Sequence, residues 1–368
     1  MLLQQHARIA NGPVRWTGLR YGHRMSRRGV RLVLDPEDEY PHEPDPVPNY
    51  NESMYLNSFD LAQEVGGWFR LGNRVNEGYA EMSVCVYLPD GRVGFTYGRP
   101  SITTNDAMDA GGLRIDVLEP FERLRLTYDG TVCLLEDPRE MADPRRAFTE
   151  NPTVPCEVRL EVRGISPMYG GRPVDEDGRE PDVDADRSFA KAHYEQHVAS
   201  TGTITVGDEV IDLDGLGLRD KSWGPRHWQA VPWYRWLPMV FDEDFAMMLS
   251  LIGTDDPASP RQGGMVLDGG QYHPVRECRI ESEWDGDLYQ RAMRCWARTD
   301  HAEYEVTGEV ISLIPLRNRR TTPDGERLST RITEAMTRYR CGDRVGIGMS
   351  EYLDQLRDGV PIGPDVAA

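Results

Sequence analysis

Through most of its 368 residues this chain alternates apolar and polar side chains with a period of two. A half-buried β-strand has that period and an amphipathic helix does not. In residues 79–88, Ala80, Met82, Val84, Val86 and Leu88 share one face, Glu81 and Ser83 take the other, and Pro89-Asp90-Gly91 supplies a turn. Leu113/Ile115/Val117, Leu124/Leu126/Tyr128 and Cys156/Val158/Leu160/Val162 repeat the pattern. Further strands are expected at Ile204–Leu213, Phe245–Ile252, Cys278–Trp284, Tyr304–Ile314, Ile332–Cys341 and Val345–Leu353. Asp242-Glu243-Asp244 lies between two apolar runs and reads as a hairpin turn, and residues 188–198 read as one short helix. Many strands at short intervals predict an all-β fold of two antiparallel β-barrel or half-barrel units in tandem.

The expected organisation has four parts. Residues 1–48 form a basic arm and a linker, 49–187 a first domain, 188–360 a second, and 361–368 a tail. Arg8, Arg15, Arg20, Arg24, Arg27, Arg28 and Arg31 make the arm basic. Residues 36–48, PEDEYPHEPDPVP, are too rich in proline and acid to be expected in a packed element. The acidic, aperiodic stretch from Gly164 to about Arg187 marks the expected boundary.

A formal net charge of −19 argues against a phosphate-binding surface, so no nucleic-acid partner is expected. No apolar run approaches the ~18 residues of a membrane span, and the opening residues lack the apolar stretch of a secretory signal, so a cytoplasmic protein is expected. Gly66-Gly67, Gly111-Gly112 and Gly263-Gly264 do not precede helices, which removes support for a dinucleotide, and no cofactor is expected. The six cysteines are not in metal-binding pairs, so no metal site is suggested. His193 and His197 are spaced as a metal pair on the expected helix, with no third ligand nearby in the sequence. Glu351 and Asp354 stand in an otherwise apolar closing strand, where an acid needs a partner such as an arginine.

Residues 215–236, GLGLRDKSWGPRHWQAVPWYRW, hold four of the eight tryptophans. Two readings stay open. In one the cluster plugs a barrel end, with Arg219 or Arg226 stacked on an indole and Asp220 paired to an arginine or capping a turn. In the other it lines the mouth of a pocket. Arg219, Lys221 and Trp223 share strand parity while Asp220 and Ser222 face the other way, so one pocket cannot take them all without a bulge.

The segment LGLRDKSWGPRHW resembles the G-x-(R/Y)-D-H-x-W-G element of the AttH and hydroxyneurosporene synthase-like superfamily. NESMYLNSFDLAQEVGGWFRLGNRVNEGYAEMSVCVYLPDG resembles the start of the N-terminal domain in bacterial members, and RVGIGMSEYLDQL their last strand, so the likeness spans roughly residues 49–356. It implies two lipocalin-like domains and kinship with carotenoid 1,2-hydratase, which adds water to a terpenoid alkene, and with fungal lipocalin-like cyclases. The chain departs from the hydratases at Lys221, where they carry His.

The functional expectation is an enzyme of lyase, hydratase or isomerase type acting on an apolar terpenoid, steroid-like or polyketide molecule. Asp220 is the candidate acid, and Lys221 or His227 orients it or removes a proton. Trp223, Trp228, Tyr234 and Arg226 are candidate substrate contacts. The rival expectation is a lipid-binding protein that holds an apolar ligand without reacting with it. Because the cysteines sit in apolar segments and lack disulfide-like spacing, all six should be thiols. Titration of the denatured, unreduced protein should count six of them.

Overall fold

The computed structural model describes residues 31–181, 189–254, 256, 259–321 and 327–363. Strand makes up 66% and helix 7%, against roughly 30–35% helix in an ordinary soluble protein, so the all-β expectation holds. Arg8, Arg15, Arg20, Arg24, Arg27 and Arg28 of the expected basic arm lie outside the described residues.

Eight strands close a barrel in chain order: β1 Tyr50–Asp60, β2 Val65–Arg74, β3 Tyr79–Tyr87, β4 Val93–Gly98, β5 Arg123–Leu135, β6 Thr153–Gly164, β7 Ala192–Val206 and β8 Glu209–Pro225. Each pairs antiparallel with the next, and β8 returns to β1 with Leu216 opposite Phe59 and Pro225 opposite Tyr50. Closure removes the exposed strand edges of an open sheet. The barrel interior is filled by apolar side chains, among them Leu56, Phe69, Val84, Leu126, Leu160 and Val198.

The second sheet uses β9 Trp233–Asp242, β10 Phe245–Ile252, β11 Arg261–Asp268, β12 Gln271–Pro274, β13 Glu277–Trp284, β14 Gln290–Arg298, β15 Glu303–Thr321, β16 Arg327–Cys341 and β17 Arg344–Arg357. Its order is β12-β11-β10-β9-β17-β16-β15-β14-β13. It rolls around a core containing Leu237, Met247, Val266, Ile280, Met293 and Tyr339. Its two ends approach without a full ladder. The Val275 N–H donates to Gly264 O at 2.9 Å, and the Cys278 N–H to Gln262 Oε1 at 2.7 Å. The second unit is therefore a half-barrel. Phe59, Trp68 and Tyr87 on the outer wall of the first barrel pack against Ile314, Met336 and Met349 of the second sheet, which joins the two units through one shared core.

Three expectations are corrected. Residues 192–198 form strand, not helix: β7 pairs with β8 along its whole length, and those ladders outweigh the local helix preference of the Ala-Lys-Ala stretch. Strands β7 and β8 complete the first barrel, so the sheets change over in residues 226–232 and not at 187/188. Residues 36–48 are not an unpacked linker. A 3-10 turn at Pro36–Glu39 buries Asp38 and Glu39 in one end of the barrel.

Those acids are tolerated because β8 sends two cations inward to meet them, with Tyr194 and Gln196 of β7 beside them. Lys221 shares the inward face with Met54 and Leu56 across the β8–β1 ladder. Its ammonium donates to Glu52 Oε1 at 2.6 Å and to the Asp38 and Tyr40 carbonyls at 2.9 Å each, which uses all three of its protons. Arg219 donates to both Glu39 oxygens, at 2.8 and 2.9 Å, and to Gln196 Oε1 at 2.7 Å. The Tyr194 hydroxyl also donates to Glu39. Glu52 accepts further bonds from the His42 ring and backbone, Tyr50 and Asn105. Trp223 covers the group, its ring 4.1 Å from that of His42 and nearly parallel to it.

Burial opposes the charge on Glu52, but His42 and Lys221 prevail and hold its pKa at about 2. A carboxylate depressed from 4.5 to about 2 contributes stability that is present above pH 4.5 and lost as the pH falls toward 2. Urea unfolding should therefore show weakening over that window. Glu52→Gln, which strands the Lys221 charge, should cost about 3–5 kcal/mol at neutral pH and flatten the acid limb.

Candidate functional site

The residues of β8 with the other parity face the second sheet. Across the barrel wall the ladder places Glu195, Asp220, Tyr55 and Arg70 side by side on β7, β8, β1 and β2. Opposite them, Trp236, Glu351 and Glu334 form a matching row on β9, β17 and β16. The rows meet where the Trp236 indole N–H donates to Glu195 Oε1 at 2.7 Å and its ring meets Tyr55 edge-on at 5.5 Å. The result is a packed, cleft-like seam between two sheets, with acids on both walls and aromatic rings among them.

Asp220 hydrogen-bonds to His193 Nε2, and Glu195 Oε1 lies 3.9 Å from the same nitrogen. The exposed fraction rises from 1% at Glu195 through 20% at Asp220 to 44% at His193, so the trio leads from the buried interior to solvent. Burial disfavours the His193 cation, yet the Asp220 and Glu195 carboxylates lift its pKa to about 9. Burial, reinforced by Asp220, raises Glu195 to about 7 against the opposing pull of His193 and Trp236. On the far wall burial raises Glu351 to about 7, and burial beside Glu351 pushes Glu334 well above the carboxylate range. The Tyr234 hydroxyl donates to Glu351. The cleft thus holds an imidazolium–carboxylate pair at its mouth and proton-bearing carboxyls further in.

The positions proposed from sequence separate into two groups. Asp220, Arg226, Trp228 and Tyr234 belong to the cleft. Arg226 donates to Ser222 Oγ at 2.5 Å and lies over the Phe189 ring at 4.2 Å, and Phe189 meets both Trp228 and Tyr234 edge-on. Lys221 and Trp223 point into the barrel, so Lys221 does not act on Asp220: alternation sends the neighbours to opposite faces. The partner of Asp220 is His193, not the arginine expected of a structural acid. His227 stands at the start of the 3-10 turn Trp228–Ala230, its carbonyl accepting the Ala230 N–H at 3.1 Å. Asp354 has the expected arginine, Arg235 Nη2 at 3.1 Å, whereas Glu351 faces the cleft.

His193 and Glu195 were not read from sequence as acid–base residues, His193 being considered there only as a helical pair with His197, and Glu334 and Arg70 were not singled out. For the first two a signal existed: read as strand, the run Ala192–Val198 puts His193, Glu195 and His197 on one face. His197 is buried further along that face, bonded through Nδ1 to the Tyr272 hydroxyl at 2.8 Å and through Nε2 to Met247 O at 3.2 Å. The third ligand absent from the sequence reading does exist for His193. His193, Glu195 and Asp220 present ligand atoms within 4.8 Å of one another, a spacing that could hold a metal ion.

The family model of a domain of unknown function, DUF7064, matches residues 35–356. The chain belongs to that family. Among solved structures, a protein of Nitrosomonas europaea given the provisional name AttH superimposes with a TM-score of 0.56 at 13% identity, covering 88% of this chain and 96% of that one. That likeness establishes the shared lipocalin-like fold anticipated from the RDKSWG element. CghA with Sch210972 matches at a TM-score of 0.49 and 14% identity over 85% of this chain and 90% of that one. Kievitone hydratase from Nectria haematococca matches at 0.48 and 8% over 85% and 96%. Curated proteins give no match.

The raised pKa values set the sign of a pH effect. His193, raised from 6.5 to about 9, contributes stability that is complete below pH 6.5 and lost as pH rises through 9. Glu195, raised from 4.5 to about 7, favours the fold only while protonated, so its effect is lost from pH 4.5 to 7. Melting temperature should fall across both windows. Glu195→Gln should shrink the lower segment, to which the similarly raised Glu351 also contributes, and leave most of the upper one, which Asp220→Asn should weaken.

Proposed function

We propose that the cleft between the sheets binds an apolar small molecule and transfers a proton to or from it, as a hydratase, dehydratase or isomerase does. The observation that carries this reading is the Asp220–His193 pair, set at a solvent-reachable mouth beside buried Glu195 and facing the Tyr234–Glu351 wall. Protonating an alkene or an enol needs a group that still holds a proton near neutral pH. Glu195 and Glu351 meet that requirement because they are buried, and His193 because it is paired.

In this reading Asp220 fixes the His193 ring and balances its charge, while a neighbouring carboxyl supplies or receives the second proton. Trp228, Tyr234 and Trp236 offer π faces to a carbon that becomes cationic. In this reading the ligand does not enter the first barrel, because apolar side chains and the Glu52–Lys221 plug fill it. No helix of the described residues is long and apolar enough to cross a membrane, and all six cysteines are free, which fits the cytoplasmic setting proposed for it.

The test combines ligand identification with one substitution. Apolar molecules that co-purify with the protein should be extracted, identified by mass spectrometry, and incubated with fresh enzyme to detect the gain or loss of one water or an isomeric shift. Asp220→Asn should retain the ligand and the melting temperature to within a few degrees, and lose about 10²–10⁴-fold in turnover. A folded variant with full turnover removes Asp220 from the mechanism. A ligand that emerges unchanged from the wild-type protein favours simple binding.

A further inference from the structure

The trio at the mouth of the seam has the donor set of a metal centre. Asp220 and Glu195 stand directly opposite each other on β8 and β7, and His193 lies two residues from Glu195 on the same face of β7. Facing side chains in an antiparallel ladder have Cβ atoms about 4.5–5.5 Å apart and diagonal ones about 7–8 Å, so an imidazole can reach the carboxylate diagonal to it. It does so here. The His193 ring bonds to Asp220 through Nε2, Glu195 Oε1 lies 3.9 Å from that nitrogen, and one ligand atom from each residue lies within 4.8 Å of the other two.

Two acids that face each other across a ladder repel, and the arrangement asks for a cation between them. Among the described residues neither carboxylate forms an ion pair with a lysine or arginine; His193 is the partner of both. Glu195 supplies a second, independent sign. Its side chain is 1% exposed, and its Oε1 accepts the Trp236 indole N–H at 2.7 Å, while Oε2 is buried with no hydrogen bond at all. A buried acceptor without a donor is costly, and a cation satisfies it. The Trp236 bond fixes the orientation of the same carboxylate, as outer hydrogen bonds do for ligating groups. The trio is also reachable from outside: side-chain exposure is 20% at Asp220 and 44% at His193, so an ion needs no internal cavity to arrive. His197 is not part of the group, because Tyr272 and Met247 engage both of its ring nitrogens.

We propose that His193, Asp220 and Glu195 bind one divalent transition-metal ion, for which zinc is the best match. An imidazole with two carboxylates suits a borderline ion, whereas calcium and magnesium prefer shells made of oxygen alone. Three protein ligands leave the fourth position of a tetrahedral ion open on the exposed side of His193. The ion takes the place of the proton that His193 and Asp220 share, so it competes with the proton transfer proposed for this pair. The metal site stands whether or not that transfer occurs.

The experiment is a calorimetric titration of zinc into the full chain, produced without a histidine tag and stripped with a chelator beforehand. One zinc per chain should bind with a Kd on the order of 10 µM or tighter. His193→Ala and Asp220→Asn, both at partly exposed positions, should keep the circular dichroism of the wild type and each weaken binding about tenfold or more. Glu195→Gln should do the same if it folds. His301→Ala, which breaks the separate His273–His301 ring contact at 4.8 Å, should leave the affinity within about twofold. Absence of saturable binding up to about 1 mM zinc overturns the inference and leaves the proton-transfer reading untouched. Binding that survives both His193→Ala and Asp220→Asn overturns it as well. Binding lost in His301→Ala instead assigns the zinc to the other histidine pair, with the same consequence.

Discussion

The structure depends on the ion pair between Lys221 and Glu52 inside one end of the first barrel. Both groups are essentially out of water, and each is saturated: the ammonium by one carboxylate and two carbonyls, the carboxylate by His42, Tyr50 and Asn105 as well. An unsaturated version of this pair would be a net penalty, since desolvation of two ions outweighs their attraction unless the remaining hydrogen bonds are made. Arg219 and Glu39 repeat the arrangement one step along β8. Together they anchor residues 36–42 across the barrel end and bring that acidic segment into the core.

The same strand that provides this anchor also forms the cleft. Alternation on β8 sends Arg219, Lys221 and Trp223 inward and Asp220 and Ser222 outward, so a single five-residue element carries the anchor on one face and the acid of the proposed site on the other. Rigidity follows from this. Asp220 projects from a strand whose neighbours on both sides are laddered and whose adjacent side chains are pinned, which limits how far its carboxylate can wander from His193. The position where this chain has Lys in place of the hydratases' His therefore lies in the anchor, not in the cleft. Lysine suits that position because its three protons meet three acceptors, which an imidazole could not match.

The two walls of the cleft differ in how they hold charge. The barrel wall carries the His193–Asp220 pair, and the second sheet carries two carboxyls that burial holds toward their neutral forms, Glu334 also beside Glu351. The shared core of Phe59, Trp68, Tyr87, Met336 and Met349 fixes the spacing of the two rows.

Much of this was legible in the residues. The period of two specified strands, the hairpin at Asp242–Asp244 and the opposite faces of Asp220 and Lys221, because side-chain direction in a strand depends only on parity. The RDKSWG element was read as the dense constellation and lies on the strand that carries Asp220, and Asp354 met the arginine an acid in an apolar strand requires. Residues 192–198 misled because local propensity favoured a helix, and so their pattern of His193 and Glu195 on one face went unread. What only the tertiary structure decided was partnership. Glu52 and Lys221 are 169 positions apart in sequence, and Trp236 reaches Glu195 from another sheet. Parity determines which way a side chain points, but what it meets there depends on ladder register and sheet docking, and those are set by the summed packing of cores contributed by the whole chain.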